Sequence, residues 1–374
     1  MYLLRTGISA GMEVFMRVAE ETKLLLDAIK KVIDRIGRPV KLMEVCGTHT
    51  VSIFRNGIRT LLPEEIVLLS GPGCPVCVTS IEDVDRAVAI SLNKDMILAT
   101  FGDMMRVPGS GRSLYHARSE GADIKIVYSP MDCLDICREN PDKMVVFFGT
   151  GFETTSPSVA ATLLEAEHRG VENFYLYSCH KLVPPALRAL LLDPETDIDG
   201  FILPGHVSTI IGSEPYEFIP KDFHRPAVIT GFDGRDIIQG ILMILMQIQR
   251  HDAAVEVQYT KAVRPEGNRK AMGLLEEVFQ VVDTHWRGIG LIPESGLELR
   301  NEFNHRNIKR VVEIDIEPTE EPKACRCGEV LKGKKIPPEC PLFAKACTPE
   351  NPVGACMVST EGSCAAYYRY GLSL

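Results

Sequence analysis

Between about residue 40 and residue 260, short apolar runs alternate with stretches whose apolar positions recur at helical period, the pattern of parallel α/β units. It predicts strands over 40–45, 66–70, 96–101, 124–128, 144–148, 174–178, 200–203 and 227–230, and amphipathic helices over 81–92, 157–168 and 184–192. Before them, residues 12–36 carry apolar side chains at helical spacing and stop short of Pro39, which predicts a long helix packed on the outside. After residue 260 a helix is predicted over 268–286, followed by GIGLIPESGLELR. From Glu317 the chain turns rich in Pro, Lys and Cys, with no long periodic segment.

Residues capable of chemistry collect just past the ends of these strands. Cys46 with His49, Cys74 with Cys77, Asp103, Glu153, Cys179 with His180, His206 and Asp233 each follow a predicted strand. In an open parallel sheet that edge is where ligands bind. The placement predicts an α/β fold of two similar Rossmann-like parallel domains facing a cleft, plus a small cysteine-rich domain. The division expected is 40–128 for the domain with Cys46 and CPVC, 129–260 for the domain with GFETT and PGHVS, and 1–39 plus 261–374 for the helical and cysteine-rich remainder.

At 374 residues, 45% hydrophobic and 24% charged, the chain has an ordinary globular composition and length for two or three domains. A formal net charge of −9 without a local basic block removes the attraction that nucleic-acid binding depends on. The N-terminus lacks the basic region, apolar core and cleavage site of a signal peptide. The longest apolar run, 237–248, is interrupted by Gln239 and falls short of the roughly 20 residues a membrane helix needs. A cytoplasmic protein without membrane contact is expected. Twelve cysteines in a reducing compartment then argue for metal binding or redox work rather than a static disulfide framework.

Six of them, Cys325, Cys327, Cys340, Cys347, Cys356 and Cys364, fall in the C-terminal segment. Four thiolates suit either a tetrahedral zinc or a [4Fe-4S] cluster. The wide spacings and the Cys-Pro at 340 lean toward iron and sulfur, with structural zinc or unligated thiols as alternatives. Two thiols are left over, enough for a dithiol or disulfide beside the cluster. In MEVCGTHT, Cys46 ends a strand, Gly47 allows a turn and His49 brings an imidazole to the same space. A thiolate with an imidazole can hold a transition metal, while Cys74 and Cys77 of GPGCPVC can complete that site or cycle between dithiol and disulfide. In FFGTGFETTSPS, Glu153 is a lone carboxylate beside hydroxyls that can cap the next helix. Neither this loop nor VPGSGRS has the lysine of a P-loop, so no nucleotide is expected. His180 and His206 can ligate a metal, shuttle protons or hydrogen-bond across the cleft. Cys133 and Cys137, four apart on one helix face, read as core thiols.

Cys46-Gly-Thr-His49 after a strand, GPGCPVC, GFETT, the CHK and PGHVS stretches and the six-cysteine tail, in this order, resemble the HypD family of hydrogenase maturation factors. The resemblance runs from about residue 40 to the C-terminus. Val51 stands where some members carry a second histidine. The resemblance implies a scaffold for assembling the Fe(CN)2CO group of [NiFe]-hydrogenases, a monomer in transient complexes with a small chaperone, HypC, and a cyanide donor, HypE. It implies that Cys46 binds the iron transiently with a cysteine of the chaperone, and that Cys74 and Cys77 form a thiol pair near it. It further implies a [4Fe-4S] cluster similar to that of ferredoxin:thioredoxin reductase, mapped here onto Cys325, Cys340, Cys347 and Cys364, with Cys327 and Cys356 as the adjacent redox pair. Glu153, His180 and His206 are then the available acid and base groups. The competing reading is an iron-sulfur disulfide reductase acting at CPVC.

Overall fold

The computed structural model describes residues 3–371 and carries nine parallel strands in two sheets, with an antiparallel hairpin. The first sheet has the order β2-β1-β7-β8-β9, built from β1 Val40–Glu44, β2 Ile66–Ser70, β7 Gly200–Pro204, β8 Ala227–Thr230 and β9 Val255–Val257. The second has the order β4-β3-β5-β6, from β3 Met96–Thr100, β4 Ile124–Ile126, β5 Met144–Gly149 and β6 Phe174–Ser178. All pairings within both sheets are parallel. The eight predicted strands are all present, within two residues at each end. β3 and β7 are buried along their whole length, which is why their apolar runs are unbroken. β9, only half-buried and with Glu256 at its centre, was not expected.

The chain divides between the sheets differently from the division at 128/129. It makes β1 and β2, crosses to build the whole second sheet, and returns to add β7 beside β1, with Leu42 opposite Gly200. Gly200 permits that return: a Cβ there would lie 2.6 Å from Ile244 Cγ2 of the covering helix Gly234–Arg250. That helix also takes the N-terminal helix, Leu3–Ile36, through Ile29, Val32 and Ile33. The described side chains of the N-terminal helix therefore pack on the first sheet's outer layer. Gly37, at φ +69°, ends it by donating its N–H to Ile33 O.

The helix expected over 268–286 stops at Val278, and Phe279–Trp286 is a strand, β10, paired with β11, Gly290–Leu299. Val281, Val282 and Thr284 are β-branched, and Val282, Thr284 and Trp286 turn inward at alternate positions while Asp283 and His285 are exposed, so the strand period prevails over the helical one. The hairpin packs on the second sheet: Leu297 and Leu299 join Phe147 and Leu176 in one core, and Leu182 N donates to Ser295 O. Among the described residues no helix is long and apolar enough to cross a membrane.

Candidate functional site

Each sheet has one place where neighbouring strands send their connections in opposite directions, between β1 and β7 in the first and between β3 and β5 in the second. The crevice at such a switch point is where parallel sheets bind ligands. Cys46 and His206 follow β1 and β7; Asp103 and Glu153 follow β3 and β5.

Cys46 precedes the helix Gly47–Arg55 and is buried. Its N–H donates to Glu44 Oε2 at 3.2 Å, while the Thr50 hydroxyl donates to Glu44 Oε1 at 2.5 Å. The GPGC loop lies directly on this turn: Gly47 N donates to Gly73 O, and a Cβ on Gly73 would lie 2.3 Å from Cys46 N. From the other side comes Glu361, whose Oε1 accepts from Thr48 Oγ1 at 2.6 Å and whose Cβ would meet a Cβ on Gly47 at 2.4 Å. Burial pushes the Cys46 thiol up to about 12, with the Glu361 carboxylate adding to the rise and backbone N–H groups of the helix start opposing it. Burial likewise lifts Glu44 to about 7. A cation arriving at Cys46 relieves the first of these penalties and displaces the thiol proton.

His49 points its Nε2 at Gly231 O and Thr230 Oγ1, both at 3.0 Å. With the Nε2 proton on the carbonyl, Nδ1 carries the lone pair, and it is buried without a partner. Burial pushes this imidazole down to about 4, so it is neutral. Its ring stacks on Phe232 at 4.8 Å, and the exposed His206 stacks on Phe232 at 3.8 Å. The two imidazoles thus share one aromatic ring, one inside and one at the surface.

The thiols form a second group that touches the first. Cys77 contacts Cys74 and, across the fold, Cys356. Cys356 also takes hydrogen bonds from Cys327 and Cys364, and accepting from several thiols holds its pKa well below the usual range. Cys325 and Cys327 touch each other, and Cys347 lies within electrostatic reach of both. Cys340 opens a loop closed by the bridge between Phe343 and Cys347. Gly354 makes room for the group: a Cβ there would lie 2.5 Å from Cys327 Sγ and 2.8 Å from Cys325 Sγ. All twelve cysteines are free, and among the described residues no three ligand side chains close on a single metal ion.

Glu153 is buried, with Oε1 accepting from Val183 N at 2.9 Å and Oε2 unpartnered, and burial lifts it to about 7. It lines an apolar cavity of about 410 Å³ with Leu182, Pro184, Ile211, Met272 and Phe279. The buried Tyr216 lies within electrostatic reach of both Glu153 and Cys46. His180 is placed elsewhere. It bonds Ser178 Oγ at 2.9 Å, packs on Gly149 and Phe279 of the second sheet's layer, and is pushed down to about 3 by burial and by Lys181 and Lys309. Cys179 contacts Asp83 within the same buried charged group. Asp103 accepts from Ser359 Oγ at 3.1 Å and so ties the second sheet to the cysteine segment. Asp233 is exposed and makes no side-chain cap on the helix it precedes. Cys133 and Cys137 are buried in the core.

Glu44, Glu361, Tyr216 and Phe232 were not singled out in the sequence. Glu44 had a signal, an acid directly after the apolar pair Leu42 and Met43 and two residues before Cys46. Glu361 had none, because 315 residues separate it from Cys46 and only the fold joins them.

The HypD family model, described as "Hydrogenase formation hypA family", matches residues 20–371. The chain is 47% identical to the hydrogenase expression/formation protein HupD of Azotobacter chroococcum mcd 1, covering 89% of this chain and 90% of that one. It is 44% identical to the hydrogenase maturation factor HypD of Escherichia coli (strain K12), covering 95% and 96%. It is 45% identical to the hydrogenase maturation factor HypD of Rhodobacter capsulatus, covering 93% and 95%. Matches of this length take in both sheets, the CGTH and CPVC turns and the cysteine segment together, and the chain belongs to the HypD family of hydrogenase maturation factors.

Proposed function

We propose that this chain is the scaffold on which the Fe(CN)2CO group of a [NiFe]-hydrogenase is assembled, with thiol chemistry supplying electrons to the site. In this reading Cys46 holds the iron as cargo, together with a cysteine of a HypC-like chaperone, and a HypE-like protein delivers the cyanide-derived ligands. His49, three residues past that thiol, keeps an unpartnered Nδ1, and Glu153 is an acid poised near neutrality within electrostatic reach of Tyr216.

The observation that carries the proposal is the position of Cys356, in contact with Cys77 on one side and Cys327 on the other. If Cys74 and Cys77 are a disulfide, the Cys356 thiolate attacks the Cys77 sulfur and Cys74 leaves as thiolate. Cys327 then attacks Cys356, releasing Cys77 as thiolate and leaving a Cys327–Cys356 disulfide. Two electrons have moved toward the Cys46 site, and one disulfide has replaced another.

A [4Fe-4S] cluster fits this segment by the chemistry of its donors: six soft thiols, with a glycine where a side chain would press on two sulfurs. Cys325, Cys340, Cys347 and Cys364 would hold it. Bound there, it supplies electrons one at a time. Cys327 and Cys356 remain free as the adjacent pair.

The test is the iron, zinc and acid-labile sulfide content of anaerobically purified protein, wild type against Cys46→Ala, each co-expressed with the small partner. Four iron and four sulfide in both, with additional non-sulfide iron only in wild type, is expected. Zinc in place of iron would overturn the redox half. A cluster without Cys46-dependent iron would favour the disulfide reductase instead. Intact iron-ligand assembly after Cys327→Ser with Cys356→Ser would remove the relay.

A further inference from the structure

Arg287 sits at the turn between β10 and β11, where three segments meet. Its backbone N–H donates to Val78 O at 2.9 Å, one residue past Cys77. Its Nη1 donates to Pro108 O at 2.8 Å, in the loop VPGSGRS that matched no nucleotide motif. The next residue, Gly288, at φ +73°, presses on the cysteine segment: a Cβ there would lie 2.6 Å from Gly328 Cα, directly after Cys327. Only a residue without a side chain allows this approach.

The Arg287 side chain is 5% exposed, and its Nη2 is buried without a partner. Glu321 Oε1 takes the Gly288 N–H at 2.7 Å, and among the described residues no carboxylate is seen to pair with the guanidinium. The guanidinium lies within electrostatic reach of Cys325, the first cysteine of the segment. A buried guanidinium with an unmet donor is costly, and guanidinium cannot escape the cost by losing its proton. Such a site suits an anionic counterpart, and the segment beside it offers thiols that give up their protons to a bound metal centre.

Resting on the cluster reading above, we infer that Arg287 is a positioning residue that supplies the fixed positive charge against which the thiolate-held cluster of the cysteine segment is reduced. Reduction adds one electron and no proton, so the centre becomes more negative by one charge beside this guanidinium. Removing the charge makes the added electron less stable; keeping it on a different side chain does not.

The experiment is a dithionite titration of full-length, anaerobically purified protein, followed by the visible and EPR signals of the cluster, with iron and sulfide counted in every sample. Arg287→Gln keeps a donor for Pro108 O and loses the charge; Arg287→Lys keeps the charge. The expected result is a reduction equilibrium about tenfold less favourable in Arg287→Gln, about 59 mV lower for one electron, with Arg287→Lys within about twofold of wild type. A Gln variant that holds its cluster and stays within about twofold of wild type would overturn the inference. So would a Lys variant displaced as far as the Gln variant, or one that fails to hold a cluster, since the charge was kept. If the Gln variant itself loses the cluster, the Lys variant decides by the same criterion. Wild type without iron and sulfide overturns the functional reading and this inference together, whereas a cluster whose potential ignores the charge overturns the inference alone.

Discussion

Replacing Glu153 by Gln tests whether the carboxyl group behind Tyr216 is held near neutrality by burial. The substitution preserves the acceptor for Val183 N at 2.9 Å and alters an oxygen that has no partner, so the chief change is the loss of an ionisable group. In the fold the acid sits at about 7, against an ordinary 4.5. Below pH 4.5 it is protonated whether the chain is folded or not. As pH rises the unfolded chain ionises first, and stability is lost until about pH 7, above which the loss is complete. At about 1.36 kcal/mol for each pH unit of that gap, the total is about 3 kcal/mol. Glu44, lifted by the same cause to about 7, contributes equally to both proteins and cancels in the difference. The assay is urea unfolding of wild type and variant under reducing, anaerobic conditions between about pH 4 and about pH 8.5. The reporter is the single tryptophan, Trp286, which stacks on Phe152 with ring centroids 6.0 Å apart, next to the substituted residue. Glu153→Gln is expected to gain about 3 kcal/mol on wild type across this range. A constant offset would show that Glu153 ionises as it does in water, and an offset of the opposite slope that the site favours its charged form.

Three further outcomes follow from the same geometry. Gly73→Ala places a methyl group 2.3 Å from the Cys46 backbone nitrogen, and should cost about 3 kcal/mol in urea unfolding because backbone, not a flexible side chain, must yield. His49 should titrate by NMR of its ring protons with a midpoint near 4, with stability lost as pH falls from 6.5 toward that value; a midpoint near 6.5 would mean the ring is not buried in solution. Gly354→Ala should lower iron and sulfide retention about tenfold at unchanged helix content by circular dichroism, because its Cβ meets two sulfurs at 2.5 and 2.8 Å. Full retention would show that the segment opens there without cost.

Strand existence was legible because the central strands are buried on both faces and read as nearly unbroken apolar runs. β10 was not, because Phe279–Trp286 holds Gln280, Asp283 and His285 on its exposed face, directly after a good helix, and its apolar positions fit either period. Sheet membership was not legible at all. Nothing local in Met96–Thr100 says that it pairs with Met144–Gly149 rather than with Ile66–Ser70, because that choice lies in partners distant along the chain. The same limit applies to the site. Cys46, His49, Cys74 and Cys77 announced themselves by type and position, while Glu361 and Tyr216 acquire meaning only from what they touch. His180 shows the opposite error: its place at a strand end suggested the cleft, yet Ser178, Gly149 and Phe279 hold it within the second sheet's layer.

The route of the chain explains why these partners converge. The CPVC turn lies on the first crossing between the sheets, so Cys74 and Cys77 are already at the seam when the second sheet begins. The last segment then folds back across that seam and touches both sides: Glu361 on Thr48 of the first sheet's turn, Ser359 on Asp103 of the second's, and Cys356 on Cys77 between them. Contacts spanning this much sequence carry a loop-closure cost that the packing of both sheets must offset. The Cys77 contact and the hydrogen bond to Thr48, two residues past Cys46, are made by residues 356 and 361, five apart on one short strip, so a change that displaces the strip disturbs both.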